Sequence, residues 1–143
     1  MSTARGPVVR GVLEACLYAA DLAAAERFYA EVVGLPVFAR VPTRHVFFRC
    51  GSTMFLVFDP TATARGMRTD ASGSRLEHGA LGPGHVAFEV SVSSIGAWRD
   101  KLAQHGVAIE ADVNWPGGGR SLYVRDPAGN SVELATKAVW SEP

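Results

Sequence analysis

Two glutamates stand where charge is costly. Glu14 lies in Leu13-Glu14-Ala15-Cys16-Leu17 and Glu133 in Ser131-Val132-Glu133-Leu134-Ala135, runs that otherwise read as interior strand. A carboxylate buried in such a run needs a cation or hydrogen-bond donors opposite it. If both share a cleft with the imidazole of His85, which opens a further apolar run, the two negative charges repel unless a divalent ion or a shared proton relieves them. Residue types alone leave two other readings open. Each Glu can face water from the wet side of an antiparallel sheet, and a lone histidine can be an ordinary surface or core residue. The chain carries no phosphate loop, nucleophile-triad signature or redox-cofactor fingerprint, so any chemistry has to come from a metal.

The elements that must position these groups form one internal repeat, each copy reading strand, helix, glycine stop, strand, hairpin. In the first copy, Leu13 to Ala20 is the strand and Asp21 caps the helix that follows. That helix sets Leu22, Ala25, Phe28, Tyr29, Val32 and Val33 on one stripe, and Gly34 ends it. Val37 to Arg40, His45 to Cys50 and Met54 to Phe58 are the remaining strands, broken by Pro42 and by Gly51-Ser52. In the second copy, His85 to Val92 is the strand, and Ser93 or Ser94 caps a helix bearing Ile95, Trp98 and Leu102. Gly106 ends that helix, and Val107 to Val113, Ser121 to Arg125 and Ser131 to Ala135 follow, with the turn Asp126-Pro127-Ala128-Gly129-Asn130 before the last.

The expected organisation is one domain over 1–143, with module one at 8–59, a linker at 60–83 and module two at 84–137. The linker carries Arg65, Arg68 and Arg75 without a sustained apolar period, so it is a solvated connection or a lid over the site. Trp115-Pro116-Gly117-Gly118-Gly119 is a second flexible element, whose tryptophan meets ligand or packs on its own hairpin. Fourteen basic and fourteen acidic residues cancel, which removes any general attraction to nucleic acid or anionic lipid and favours a small-molecule partner. No apolar run is long enough to span a bilayer, and Met1 to Val12 lacks a secretory core, so a cytoplasmic location is expected. The two cysteines, Cys16 and Cys50, allow no disulfide framework and are expected as buried thiols.

Four segments carry a family resemblance: Glu14 to Tyr29 (EACLYAADLAAAERFY), Gly34-Leu35, Gly84 to Val90 (GHVAFEV) and Arg120 to Leu134 (RSLYVRDPAGNSVEL). Together they resemble the vicinal-oxygen-chelate superfamily of glyoxalases, bleomycin-resistance proteins and extradiol dioxygenases. The resemblance implies an α+β fold of two tandem βαβββ modules, a curved mixed sheet around a cleft, with metal ligands on the first and last strand of each module. Carried over position by position, those ligands fall on Glu14, Leu56, His85 and Glu133. Leucine cannot bind a metal, so the implied set is Glu14, His85 and Glu133.

One imidazole with two carboxylates is an oxygen-rich set suited to Mn²⁺, Zn²⁺, Mg²⁺ or Ni²⁺, and a poorer match to Fe. Strand alternation puts Ser121 and Tyr123 on one face, and the repeat maps them onto His45 and Phe47. Glu133, His45 and Tyr123 thereby become candidate catalytic groups, and Ser121, Tyr123, Phe47, Arg120 and Trp115 candidate substrate contacts. The implied function is a glyoxalase-like metalloenzyme of lyase or isomerase type. The alternatives are a metal-free protein that sequesters a small toxic compound, as bleomycin-resistance proteins do, and an extradiol-type iron dioxygenase. A homodimer is the expected assembly.

Overall fold

A computed structural model describes residues 6–66 and 76–141. The repeat appears as two four-stranded sheets, ordered β1-β4-β3-β2 and β5-β8-β7-β6. The first comprises β1 (Glu14–Tyr18), β2 (Val37–Val41), β3 (His45–Cys50) and β4 (Thr53–Phe58). The second comprises β5 (His85–Glu89), β6 (Ala111–Asn114), β7 (Arg120–Arg125) and β8 (Ser131–Ala135). In each, the first strand pairs in parallel with the last while the others run antiparallel. A parallel neighbour requires a crossover, and the helices supply it. The expected α+β class and tandem βαβββ architecture are what the chain adopts.

Helix α1 (Leu22–Arg27) starts at Asp21, whose side chain accepts from the Ala24 amide at 3.0 Å. It continues as a π-helical stretch, Phe28–Val33, and stops at Gly34, where φ of 88° needs a residue without a Cβ. Helix α3 (Ile95–Gln104) follows a 3₁₀ turn, Val92–Ser94, and the Ser94 side chain makes no capping bond to it. The expected strand from Val107 is shorter: Val107 and Ile109 pack on the core, and pairing with β7 begins at Ala111. The 60–83 segment opens with helix α2 (Pro60–Ala64), capped by Asp59. Arg68 and Arg75 lie outside the described residues.

Alternation along the strands decides what each sheet buries. Leu17, Val46, Phe48, Phe55 and Val57 of the first and Phe88, Leu122, Val124, Val132 and Leu134 of the second enter one core with the helix residues Tyr29 and Leu102. Phe88 bridges the modules, 5.2 Å from Phe55 and 6.3 Å from Tyr29 between ring centres. The intervening residues form an outer face on each sheet. Cys16 belongs to the outer face of β1 and is exposed, contrary to the expected buried thiol, because it alternates with Leu17; Cys50 is half-buried.

A polar knot also ties the modules together. The Tyr29 hydroxyl donates to Asp126 Oδ2 at 2.7 Å, and Asn130 Nδ2 donates to the same oxygen at 2.9 Å and to the Tyr18 carbonyl at 3.1 Å. Asn130 Oδ1 accepts from the Gly84 amide at 2.8 Å. Burial first, and then the Asp126 charge, push the Tyr29 phenol far above its usual range, so its proton stays on the bridge.

Candidate functional site

The outer face of the second sheet collects the polar groups. Glu133, on β8, faces Ala87 on β5 and Tyr123 on β7, and His85 lies two residues before Ala87 on the same side. Glu133 is only 8% exposed. Its Oε2 accepts from Ser121 Oγ at 2.5 Å, and Ser121 Oγ accepts from the Trp115 indole at 2.9 Å. An indole only donates, so the Ser121 proton goes to the carboxylate and the relay has one direction. The Trp115 indole is thereby tied to its own hairpin while the residue stays 40% exposed. Through Ser121 it fixes one oxygen of Glu133 and leaves Oε1 free.

That free oxygen lies 3.3 Å from Nε2 of His85. The other ring nitrogen, Nδ1, is 3.1 Å from the Ser131 carbonyl, which can only accept, and 3.2 Å from the Ser131 hydroxyl, which can donate. A hydrogen on Nδ1, donated to the carbonyl, leaves the Nε2 lone pair facing the carboxylate, whereas an Nδ1 that accepts from the hydroxyl turns an Nε2–H toward Glu133. In the first arrangement the two acceptors call for a positive charge between or beside them, a proton or a metal ion. A backbone carbonyl on Nδ1 is also the usual way a metal-binding histidine is oriented. Ser131 was not among the residues singled out from sequence, although its place two residues before Glu133, on the same face, was a usable signal. The Tyr123 ring runs near-parallel to His85, 6.3 Å away, and burial first, then the neighbouring Glu133, raise its phenol pKa.

The remaining candidates are elsewhere. Glu14 projects from the outer face of β1 and lines a recess of about 150 Å³ with Val12, Met54, Val86 and Ala87. Among the described residues no three metal-donor side chains cluster, so one chain does not gather Glu14 with His85 and Glu133. Leu56 faces Cys16 across β1 and Phe47 across β3, the same register that Glu133 has with Ala87 and Tyr123. It thus occupies the slot equivalent to Glu133.

His45 and Phe47 share the outer face of the first sheet with their rings stacked 3.9 Å apart. Burial, and then the Arg44 charge, lower the His45 pKa and favour its neutral form. Arg120 is not brought to the cluster: it alternates with Ser121 onto the core side of β7 and pairs with Asp112 at 3.4 Å. Neighbouring residues on a strand face opposite ways, so this placement was readable from the sequence.

Residues 11–134 match the family model described as Glyoxalase/Bleomycin resistance protein/Dioxygenase superfamily. A lactoylglutathione lyase structure from Agrobacterium tumefaciens is similar over 94% of this chain and 98% of its own, with 38% identity and a TM-score of 0.84. A glyoxalase/bleomycin resistance protein/dioxygenase from Nocardioides shares the fold at 20% identity, with a TM-score of 0.69 over 96% of this chain and 90% of its own. The fosfomycin resistance protein FosX from Mesorhizobium loti does so at 17% identity, with a TM-score of 0.63 over 90% of this chain and 93% of its own. No curated protein matches the chain in sequence. With nearly its whole length matched by the family model and its repeat folded as paired βαβββ modules, this chain belongs to the Glyoxalase/Bleomycin resistance protein/Dioxygenase superfamily.

Proposed function

We propose that this protein is a glyoxalase-like enzyme of lyase or isomerase type that acts on a small molecule with a divalent metal held by His85 and Glu133. The observation that carries this reading is the approach of His85 Nε2 and Glu133 Oε1, 3.3 Å apart, with the far side of each group held by Ser131 and Ser121. The likeness to the Agrobacterium lactoylglutathione lyase supports the reaction class. The donor set fits Mn²⁺, Zn²⁺, Mg²⁺ or Ni²⁺ better than iron, which keeps an iron dioxygenase behind. When bound, such an ion supplies Lewis acidity to a substrate oxygen. The chain's own residues do the rest. Ser121 and Trp115 hold Glu133 in one orientation, Ser131 holds His85, and the Tyr123 hydroxyl and His45 are the groups suited to moving a proton. Among the described residues no helix is long and apolar enough to cross a membrane, and a cytoplasmic site of action is proposed.

Glu14, the third ligand, comes from a second copy. Val8, Val9, Val12 and Leu13 are each at least 74% exposed immediately before β1, an apolar ribbon that a homodimer would cover. A mixing experiment tests both metal and dimer. Glu14→Ala and His85→Ala proteins, each deficient alone, are expected to regain metal binding in roughly a quarter of their sites when dissociated and reassociated together. A protein that stays monomeric at micromolar concentration by light scattering, or a mixture with no recovery, sinks the shared site.

One observation favours sequestration without chemistry as the second reading: Leu56 removes the fourth ligand. Leu56→Glu is expected to lower the melting temperature of the metal-free protein, since a carboxylate enters a buried slot, and to tighten Mn²⁺ binding about tenfold. A metal affinity identical to wild type would show that position 56 does not face the ion.

A further inference from the structure

The outer face of the first sheet is the chemical opposite of the second. Where the second carries His85, Ser121 and Glu133, the first carries Glu14, His45 and Leu56 at the equivalent positions, and around His45 it builds an aromatic cluster. The His45 and Phe47 rings stack at 3.9 Å with an angle of 8°, and Phe58 sets its ring at 74° to both, 5.9 and 5.5 Å away. His78, hydrogen-bonded to the Tyr18 hydroxyl at 2.7 Å, packs edge-on against Phe58. Phe47 and His45 are only half-buried, so the outer side of their stack is open.

Arg44 brings a cation to this cluster. The Arg44 guanidinium lies 5.3 Å from the centre of the Phe58 ring and donates to His45 Nδ1 at 2.9 Å. Guanidinium never accepts, so His45 bears its hydrogen on Nε2 and presents a second donor. Among the described residues Arg44 has no carboxylate partner. The adjacent Asp59 carboxylate caps α2 through the Thr61 amide at 2.8 Å. Glu14 belongs to the opposite end of the face, four residues along β1 from Tyr18 and so roughly 13 Å away at the usual strand rise. A donor pair whose adjacent acid, Asp59, is engaged as a helix cap, beside a half-open His45–Phe47 stack, calls for a ligand that is flat and negatively charged.

We propose that this face binds an aromatic carboxylate, its ring continuing the Phe47–His45 stack and its anion received by Arg44. This rests on reading the protein as a small-molecule binder and does not require the metal. In an assembled site it would make one wall aryl-selective while the His85–Glu133 wall carries the metal.

The test is calorimetric titration of the full chain, stripped of metal by EDTA dialysis, with 2-naphthoate. Wild type is expected to bind it about tenfold more tightly than 2-naphthalenemethanol, which lacks the charge, and more tightly than cyclohexanecarboxylate, which lacks the ring. Arg44→Gln is expected to weaken 2-naphthoate about tenfold, Arg44→Lys to recover part of that, and Phe47→Leu to weaken it severalfold. No binding to wild type, or equal affinity for the acid and the alcohol, overturns the proposal. So does an unchanged affinity in Arg44→Gln whose melting curve matches wild type; should that variant fail to fold, Arg44→Lys and the acid-to-alcohol ratio decide. Binding that needs Mn²⁺ and ignores Arg44 removes the aryl wall and leaves the metal reading standing. Arg44-dependent binding by a protein that takes up no metal does the reverse.

Discussion

Glu133→Gln is expected to weaken Mn²⁺ or Zn²⁺ binding by at least tenfold, about 1.4 kcal/mol, with no loss of stability in the metal-free protein. The two effects separate because of the local hydrogen bonds. Glu133 has one oxygen held by Ser121 and the other aimed at His85 Nε2. A glutamine side chain keeps the acceptor for Ser121 and can hydrogen-bond the imidazole through its amide N–H. It loses the charge that attracts a divalent ion and offers a neutral amide instead. Binding by calorimetry and the metal-induced rise in melting temperature are the two measurements, since an ion bound only by the folded state stabilises it by mass action. If wild type and Glu133→Gln respond equally to Mn²⁺, Zn²⁺ and Ni²⁺, the His85–Glu133 contact is a simple ion pair and the metal reading fails.

The second large effect concerns the polar knot between modules. Asp126→Ala is expected to cost about 3 kcal/mol in urea unfolding, near the upper end for a single substitution. Asp126 Oδ1 accepts from the amides of Ala128 and Asn130 at 2.9 and 2.8 Å, and Oδ2 from the Tyr29 hydroxyl and Asn130 Nδ2. Removing the carboxylate leaves the Tyr29 hydroxyl, on a residue with no exposed surface, without its acceptor, and loosens the turn between β7 and β8. Tyr29→Phe deletes the donor and spares the carboxylate its other three bonds, so it is expected to cost only about 1 kcal/mol. Equal losses in the two variants would mean that the knot contributes through packing alone.

Much of the fold was legible because its signals are local. Asp21 and Gly34 delimit the first helical segment, Gly106 follows the second, and alternation put Ser121 and Tyr123 on one face, where the ladder also sets Glu133. The same rule, applied to Arg120, places it on the other face, and to Cys16, in the open. The ladder registers set Leu56 in the first sheet where the second has Glu133.

The sequence by itself determined the repeat, the strand parity and the residues that each outer face can offer, since these depend on neighbours within a few positions. Tertiary structure alone decided which of them meet. The direction of the Trp115–Ser121–Glu133 relay, the Ser131 groups that anchor the His85 ring and the separation of Glu14 from both depend on how strands are laid side by side. The Tyr29–Asp126 bond joins residues 97 positions apart, and the pairing of Arg44 with an aromatic face arises from where β3, β4 and α2 come together. Such contacts are fixed by close packing of the whole chain, where a shift of an ångström breaks a hydrogen bond, and no local pattern of residue types encodes them.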